Sequence, residues 1–258
     1  MKVHPSAVIH PQAQVASSAE IGPHSVIGAG VEIGDDCEIM PHVVIEGPTR
    51  IGKRNRIFSY AAVGFPCQDL KYKGEATSLE IGDDNVIREF TTLSRGTVQG
   101  GGVTHIGSHN FLMAYVHIAH DCHLGSHIIM ANGASLAGHV EVGDYASIGA
   151  FCLIHQNCRV GAHAFLGSAS LINKDILPYA KTSADRSAAV YGANRVGLER
   201  RGFTRDDMDE LDKAFRLLSR SKLNTTQALE AIEGKGFQSP HVRALVEFIK
   251  TSERGVVK

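Results

Sequence analysis

The chain has 258 residues, 43% of them hydrophobic and 21% charged, with a formal net charge of −1, which describes a globular protein able to build a sizeable core. Its basic residues are scattered instead of gathered on one segment, which excludes the electrostatic footprint of a nucleic-acid binder. No apolar run approaches the ~20 residues of a membrane span and no signal peptide precedes the first repeat, so a cytoplasmic protein that does not span a membrane is expected.

From Val3 onward an aliphatic residue recurs every sixth position, through Ile9, Val15 and Ile21 to Val63. The phase returns at Ile81, Ile87 and Leu93, shifts by one residue, and then runs from Ile106 to Ile172. Glycine often follows the aliphatic, as at Gly22, Gly34, Gly52 and Gly125, where a tight turn into positive φ would favour it. Four residues after the aliphatic come small or branched side chains such as Ala19, Ala61, Cys122 and Ala164, suited to a narrow interior. This is the signature of a parallel β-helix of hexapeptide repeats. Each hexad supplies one short strand and one turn, and three sides close a prism whose coils stack roughly 4.8 Å apart. Periodicity leaves the handedness open.

Cys37, Cys122, Cys152 and Cys158 share that interior position, and no C-x-x-C occurs. Core filling is therefore expected in place of a disulfide framework, redox chemistry or a zinc site.

Residues 66–78 and 98–105 interrupt the repeat and should form loops, where binding residues concentrate on a rigid scaffold. Past Pro178 the repeat fades, which divides the chain into a β-helix over 1–190 and a C-terminal helical domain over 191–258. There Thr204 and Asp207 predict a capped helix carrying Met208, Leu211, Phe215 and Leu218 at helical spacing. Asn224 predicts the start of a second helix ending at Gly234, and Ser239-Pro240 opens a third with Val242, Leu245, Val246 and Ile249.

With coils of about 18 residues, His120, Gly138 and Gln156 fall in one column, and Asp121, His139 and Asn157 in the next. His117 and His155 lie beside them. A histidine can act as general base near neutral pH, and a glycine leaves its N–H open to a developing oxyanion. The competing reading is a set of surface histidines at turns. No Ser or Cys nucleophile shares the columns, which favours direct attack by an acceptor over a covalent intermediate.

The stretches His117–Cys122, Leu136–Val140, Gln68–Tyr72, Arg95–Gly102 and Gly197–Phe203, in that setting, resemble the UDP-N-acetylglucosamine O-acyltransferases that begin lipid A synthesis. The resemblance covers essentially the whole chain. It implies a mainly β protein, a left-handed parallel β-helix with a C-terminal α-helical domain, assembled as a homotrimer with active sites between subunits. It also implies transfer of an (R)-3-hydroxyacyl group from acyl carrier protein to the glucosamine 3-position of UDP-N-acetylglucosamine, with no cofactor and no metal. His120 would be the base, helped by Asp121, with the Gly138 N–H for the oxyanion. Asp69, Lys71, His117, His139, His155 and Gln156 would line the sugar and acyl groove, and Asn194, Arg200 and Arg201 would reach the nucleotide. A solvated charge pair at a helix start is the competing reading of the two arginines. Ser168, where glycine would lengthen the acyl groove, implies a shorter chain.

The sequence departs from that family pattern at Ser94, at Val196 and over 183–189. These departures raise N-acylation of a 3-amino acceptor as an alternative. The N-acyltransferase of the same pathway, another hexapeptide-repeat acyltransferase, a zinc carbonic anhydrase of similar fold and a non-catalytic scaffold complete the alternatives.

Overall fold

The computed structural model describes residues 2–219, 221 and 223–258; Met1, which the β-helix reading includes, lies outside the described residues. The aliphatic residue of each hexad points inward and stacks on its counterpart in the next coil. Val3 lies over Ile21, and Ile39, Ile57, Ile87, Leu112, Met130, Ile148 and Leu166 continue that column through parallel strand pairs. Nearly all are fully buried. Among the described residues the strands form three sheets of eleven, nine and eight members, the faces of a left-handed parallel β-helix. The first sheet runs from Lys2–Val3, the second from Val8–Ile9 and the third from Gln14–Val15.

The small-residue position is as closed as expected: Cys37, Cys122, Cys152 and Cys158 are unpaired thiols with no exposure. Burial pushes the Cys122 thiol up to about 12 and the Cys158 thiol up to about 11. Hydroxyls at this position, such as Ser25 and Ser170, donate to backbone carbonyls, and three asparagines form a ladder. Asn55 accepts from the Asn85 N–H, Asn85 from the Asn110 N–H and Asn110 from the Ile128 N–H, so no buried amide oxygen loses a partner.

The glycines after the aliphatics need another account. Of those named above, none has positive φ; that conformation falls two residues later, on side chains such as His24, Asp36 and His127. These glycines are required by coil stacking. A β-carbon at Gly34 would come within 2.6 Å of the Gly52 carbonyl oxygen in the next coil.

Both interruptions leave the prism intact. The pairing of Ile57 with Ile87 and of Ile87 with Leu112 shows that the coil closes around each insertion. Within the second, Val98–Gly100 forms a turn of 3-10 helix capped by Thr97, and the chain is already a strand at Val103–Ile106, earlier than the sequence suggests.

The first sheet ends with an antiparallel pair, Ala180–Thr182 with Val190–Ala193. Among the described residues four helices follow: α1 (Arg195–Arg200), α2 (Arg205–Ser219), α3 (Thr225–Glu233) and α4 (Pro240–Lys250). Thr204 caps α2 through the Asp207 N–H, Asn224 and Gln227 form a reciprocal capping box on α3, and Ser239 caps α4. The tail is pinned to the last coils by Asp175, which is buried. Its carboxylate accepts from the Arg159 N–H at 2.8 Å, from Arg159 Nε at 3.2 Å and from the Ser252 hydroxyl at 2.8 Å. No helix among the described residues is long and apolar enough to cross a membrane.

Candidate active site

The turn between the second and third sheets carries His120 and Asp121. Backbone bonds stack it as the 18-residue columns require: the His139 N–H donates to the His120 carbonyl at 3.0 Å, and the Asn157 N–H to the Gly138 carbonyl at 3.1 Å. Asp121 takes positive φ (58°), and the Thr104 hydroxyl accepts its N–H at 2.8 Å.

Asp121 is 2% exposed. Its Oδ2 lies 2.7 Å from His120 Nδ1, so an Nδ1–H donated to the carboxylate leaves Nε2 as the basic nitrogen. His120 Nε2 has no hydrogen-bond partner among the described residues. The ring lies over Gly138, where a β-carbon would approach Nε2 within 2.8 Å. The Gly138 N–H makes no hydrogen bond to any described residue. A basic nitrogen and an open backbone donor thus share one spot. His139 meets the His120 ring edge-on at 5.2 Å between centroids, with Nε2 3.7 Å from Asp121 Oδ2.

These groups open into a cavity of about 530 Å³. It brings together Asp69, Lys71, His117, His120, Gly138, His139 and Gln156 of the predicted site, with Gln68, Ser94, Gln99 and Asn157. The 66–78 loop forms its wall; Asp69 Oδ1 accepts the Lys71 N–H at 2.9 Å, which folds the loop tip back on itself. His117 Nδ1 lies 2.7 Å from the Thr92 hydroxyl. Burial, then the neighbouring His120, hold the His117 imidazole below its ordinary value. His155 is exposed, turns its Nδ1 toward the Gln156 carbonyl and does not line this cavity.

Ser168, Asn194, Arg200 and Arg201 line a second cavity of about 760 Å³, with Tyr145, Phe165 and Val196. It lies over the first sheet, away from His120 on this chain. Asn194 caps α1, accepting from the Gly197 N–H and donating to the His163 carbonyl. Arg200 and Arg201 close α1 instead of opening a helix, because α1 begins at Arg195. The Arg201 guanidinium sits 4.3 Å above the Tyr145 ring. Tyr145 belongs to a stack with His127 and His163. Burial, then Arg201 and His241, push the His163 imidazole down to about 4.

His120, Asp121 and His139 place one ligand atom each within 4.8 Å of one another, close enough for a single metal ion. Both Asp121 oxygens are already engaged, however: Oδ1 accepts the Thr97 N–H at 2.7 Å, and Oδ2 accepts the Thr97 hydroxyl at 2.6 Å as well as His120. A metal ion bound there would compete with these donors for the Asp121 carboxylate. Thr97, Gln99 and Thr104, like Gln68, are site residues that sequence reasoning passes over. Thr97 and Gln99 lay inside the Arg95–Gly102 motif, and the one-residue register shift hid Thr104 beneath Asp121.

Residues 175–257 match the family described as "Udp N-acetylglucosamine O-acyltransferase; Domain 2", and residues 1–35 match "Bacterial transferase hexapeptide (six repeats)". The chain is 49% identical over 257 residues to the acyl-[acyl-carrier-protein]–UDP-N-acetylglucosamine O-acyltransferase of Halorhodospira halophila, covering 100% of this chain and 99% of that protein. It is 47% identical to the protein of the same name from Thiobacillus denitrificans, over 99% of both chains. The solved UDP-N-acetylglucosamine O-acyltransferase of Moraxella catarrhalis superposes with a TM-score of 0.96 at 42% identity, over 100% of both chains.

Proposed function

The chain belongs to the acyl-[acyl-carrier-protein]–UDP-N-acetylglucosamine O-acyltransferase family, and from that membership we propose that it moves an (R)-3-hydroxyacyl group from acyl carrier protein to the 3-hydroxyl of UDP-N-acetylglucosamine, the first step of lipid A synthesis. The observation that carries the mechanism is the pairing of a free His120 Nε2, backed by Asp121, with the unpartnered N–H of Gly138.

In the proposed reaction His120 Nε2 takes the proton of the 3-hydroxyl as its oxygen attacks the thioester carbonyl. Asp121 holds the imidazole orientation and stabilises the imidazolium. The negative charge forms on the former carbonyl oxygen and is met by the Gly138 N–H. Collapse breaks the C–S bond, and His120 returns the proton to the departing thiolate. Asp69, Lys71, His117, His139 and Gln156 supply polar contacts around the acceptor, and His155 lies at the rim.

The proposal also covers the parts that one chain leaves apart. Asn194, Arg200 and Arg201 would bind the nucleotide, guanidinium being suited to phosphate, and Ser168 would limit acyl length. A homotrimer would bring one copy's second cavity toward another's His120. Exposed apolar side chains, including Val8, Tyr60, Tyr115, Phe151, Leu153 and Leu171, support such an assembly. The division into a β-helix over 1–190 and a helical unit over 191–258, and a cytoplasmic place, belong to the same reading. N-acylation of a 3-amino acceptor is not adopted, because the full-length relatives carry O-acyltransferase names.

Incubation with a set of hydroxyacyl carrier proteins and either UDP-N-acetylglucosamine or its 3-amino analogue, read by mass spectrometry, tests the assignment. O-acylated product is expected, with longer donors accepted after Ser168→Gly. Transfer to the amine alone would overturn the acceptor.

A further inference from the structure

Asp121 is the hydrogen-bond partner of the His120 ring among the described residues, yet its own position is set by a segment outside the hexapeptide repeat. The 3-10 turn after Thr97 folds over the carboxylate. Thr97 donates twice, its N–H to Oδ1 at 2.7 Å and its hydroxyl to Oδ2 at 2.6 Å. The same Oδ2 faces His120 Nδ1 at 2.7 Å. Gly96 and Gly100 let the loop approach: a β-carbon at Gly100 would collide with the Asp121 carboxylate, and one at Gly96 would come within 2.9 Å of Oδ1. The loop itself is closed by the Gly102 N–H on the Thr97 carbonyl at 2.8 Å.

We propose that Thr97 is a positioning residue for acyl transfer, fixing the Asp121 carboxylate so that it holds the His120 imidazole against Gly138. This rests on the reading of His120 as the general base. With its backbone fixed, an aspartate keeps a staggered χ1 and a broad χ2 about the bond to its carboxylate. Two donors from a single residue, one on each oxygen, hold both, and they do so from a capped, internally hydrogen-bonded turn. Hydrogen bonds to a charged group are the strong ones, and both partners of this pair are buried. The insertion that breaks the hexapeptide phase therefore has a chemical task beyond closing the coil.

The test is a double-mutant cycle in the acyl-transfer assay, using Thr97→Val, Thr97→Ser, Gly100→Ala and Asp121→Ala, with His120→Ala alongside. Thr97→Val should lower kcat about tenfold or more, the scale of a lost hydrogen bond to a charged partner, with the KM for UDP-N-acetylglucosamine nearly unchanged. Thr97→Ser should restore the rate. Gly100→Ala should behave like Thr97→Val, and neither should cost anything further in the Asp121→Ala background. An equal loss from Thr97→Val with Asp121 removed would mean that Thr97 only caps its turn, and would overturn the proposal. So would a wild-type rate in Thr97→Val, or a Thr97→Ser variant as slow as Thr97→Val. Retained activity in His120→Ala would instead bring down the underlying reading of the base.

Discussion

Gly138 lies against the His120 imidazole so closely that a β-carbon there would sit 2.6 Å from Cε1. One residue thus leaves room for the base and carries an N–H that no described residue uses. Gly138→Ala should displace the ring and the oxyanion donor together and lower kcat by roughly a hundredfold. The fold should survive, because the position lies at a turn and not in the prism core. Kinetics with thermal denaturation check this; a wild-type kcat would contradict it.

The tail is held by a buried charge. Asp175 accepts from Arg159 and Ser252, so Asp175→Ala leaves the Arg159 guanidinium short of its partner and frees the C-terminal segment. Removing one partner of a buried pair is costly, and a loss of about 3 kcal/mol is expected by denaturant titration. An unchanged midpoint would show that the other contacts, among them the backbone bonds of Asp175 with Gly255 and Val257, hold the tail without the carboxylate.

His163 links pH to stability. Its imidazole is pushed down to about 4 in the fold by burial, then by Arg201 and His241, from an ordinary value of 6.5. The unfolded chain therefore takes up a proton near 6.5 that the folded chain refuses until about 4, so stability is complete above 6.5 and is lost as pH falls through that window. His163→Phe keeps a ring between Tyr145 and Tyr179 and removes the titration. Calorimetry should show a flatter Tm profile between pH 6.5 and 4 in the variant; parallel profiles would contradict the assignment.

Chelation gives a fourth prediction. His120, Asp121 and His139 could geometrically share an ion, but the Asp121 oxygens serve Thr97 and His120. Dialysis against a strong chelator should leave the transfer rate unchanged. Loss of activity that added zinc restores would return the zinc reading.

The sequence made the prism legible almost coil by coil, because a six-residue period admits few solutions and each inward Ile or Leu is unavoidable. It also placed His120 under Gly138, since columns repeat every coil. What it could not show follows from the same rule. Column arithmetic tells which residues stack along one corner, not which corners face each other, so Asn194, Arg200 and Ser168 turned out to line a different cavity from His120. It fails across an insertion, so Thr97 and Thr104 were missed around Asp121. Gly34 is placed by coil stacking, which a residue type at a turn does not reveal, whereas Gly64 does take the positive φ that a turn favours. The short α1 and the Ala180–Thr182 pairing with Val190–Ala193 carry too few residues to show a period.

The central claim is that His120 removes the proton of the acceptor hydroxyl. The most direct measurement is kcat/KM for His120→Ala, with UDP-N-acetylglucosamine and an (R)-3-hydroxyacyl carrier protein, after its fold has been verified. Loss of roughly a thousandfold is predicted, the weight of a general base. Activity within about tenfold of the parent would contradict it, since effects of that size need no base at all.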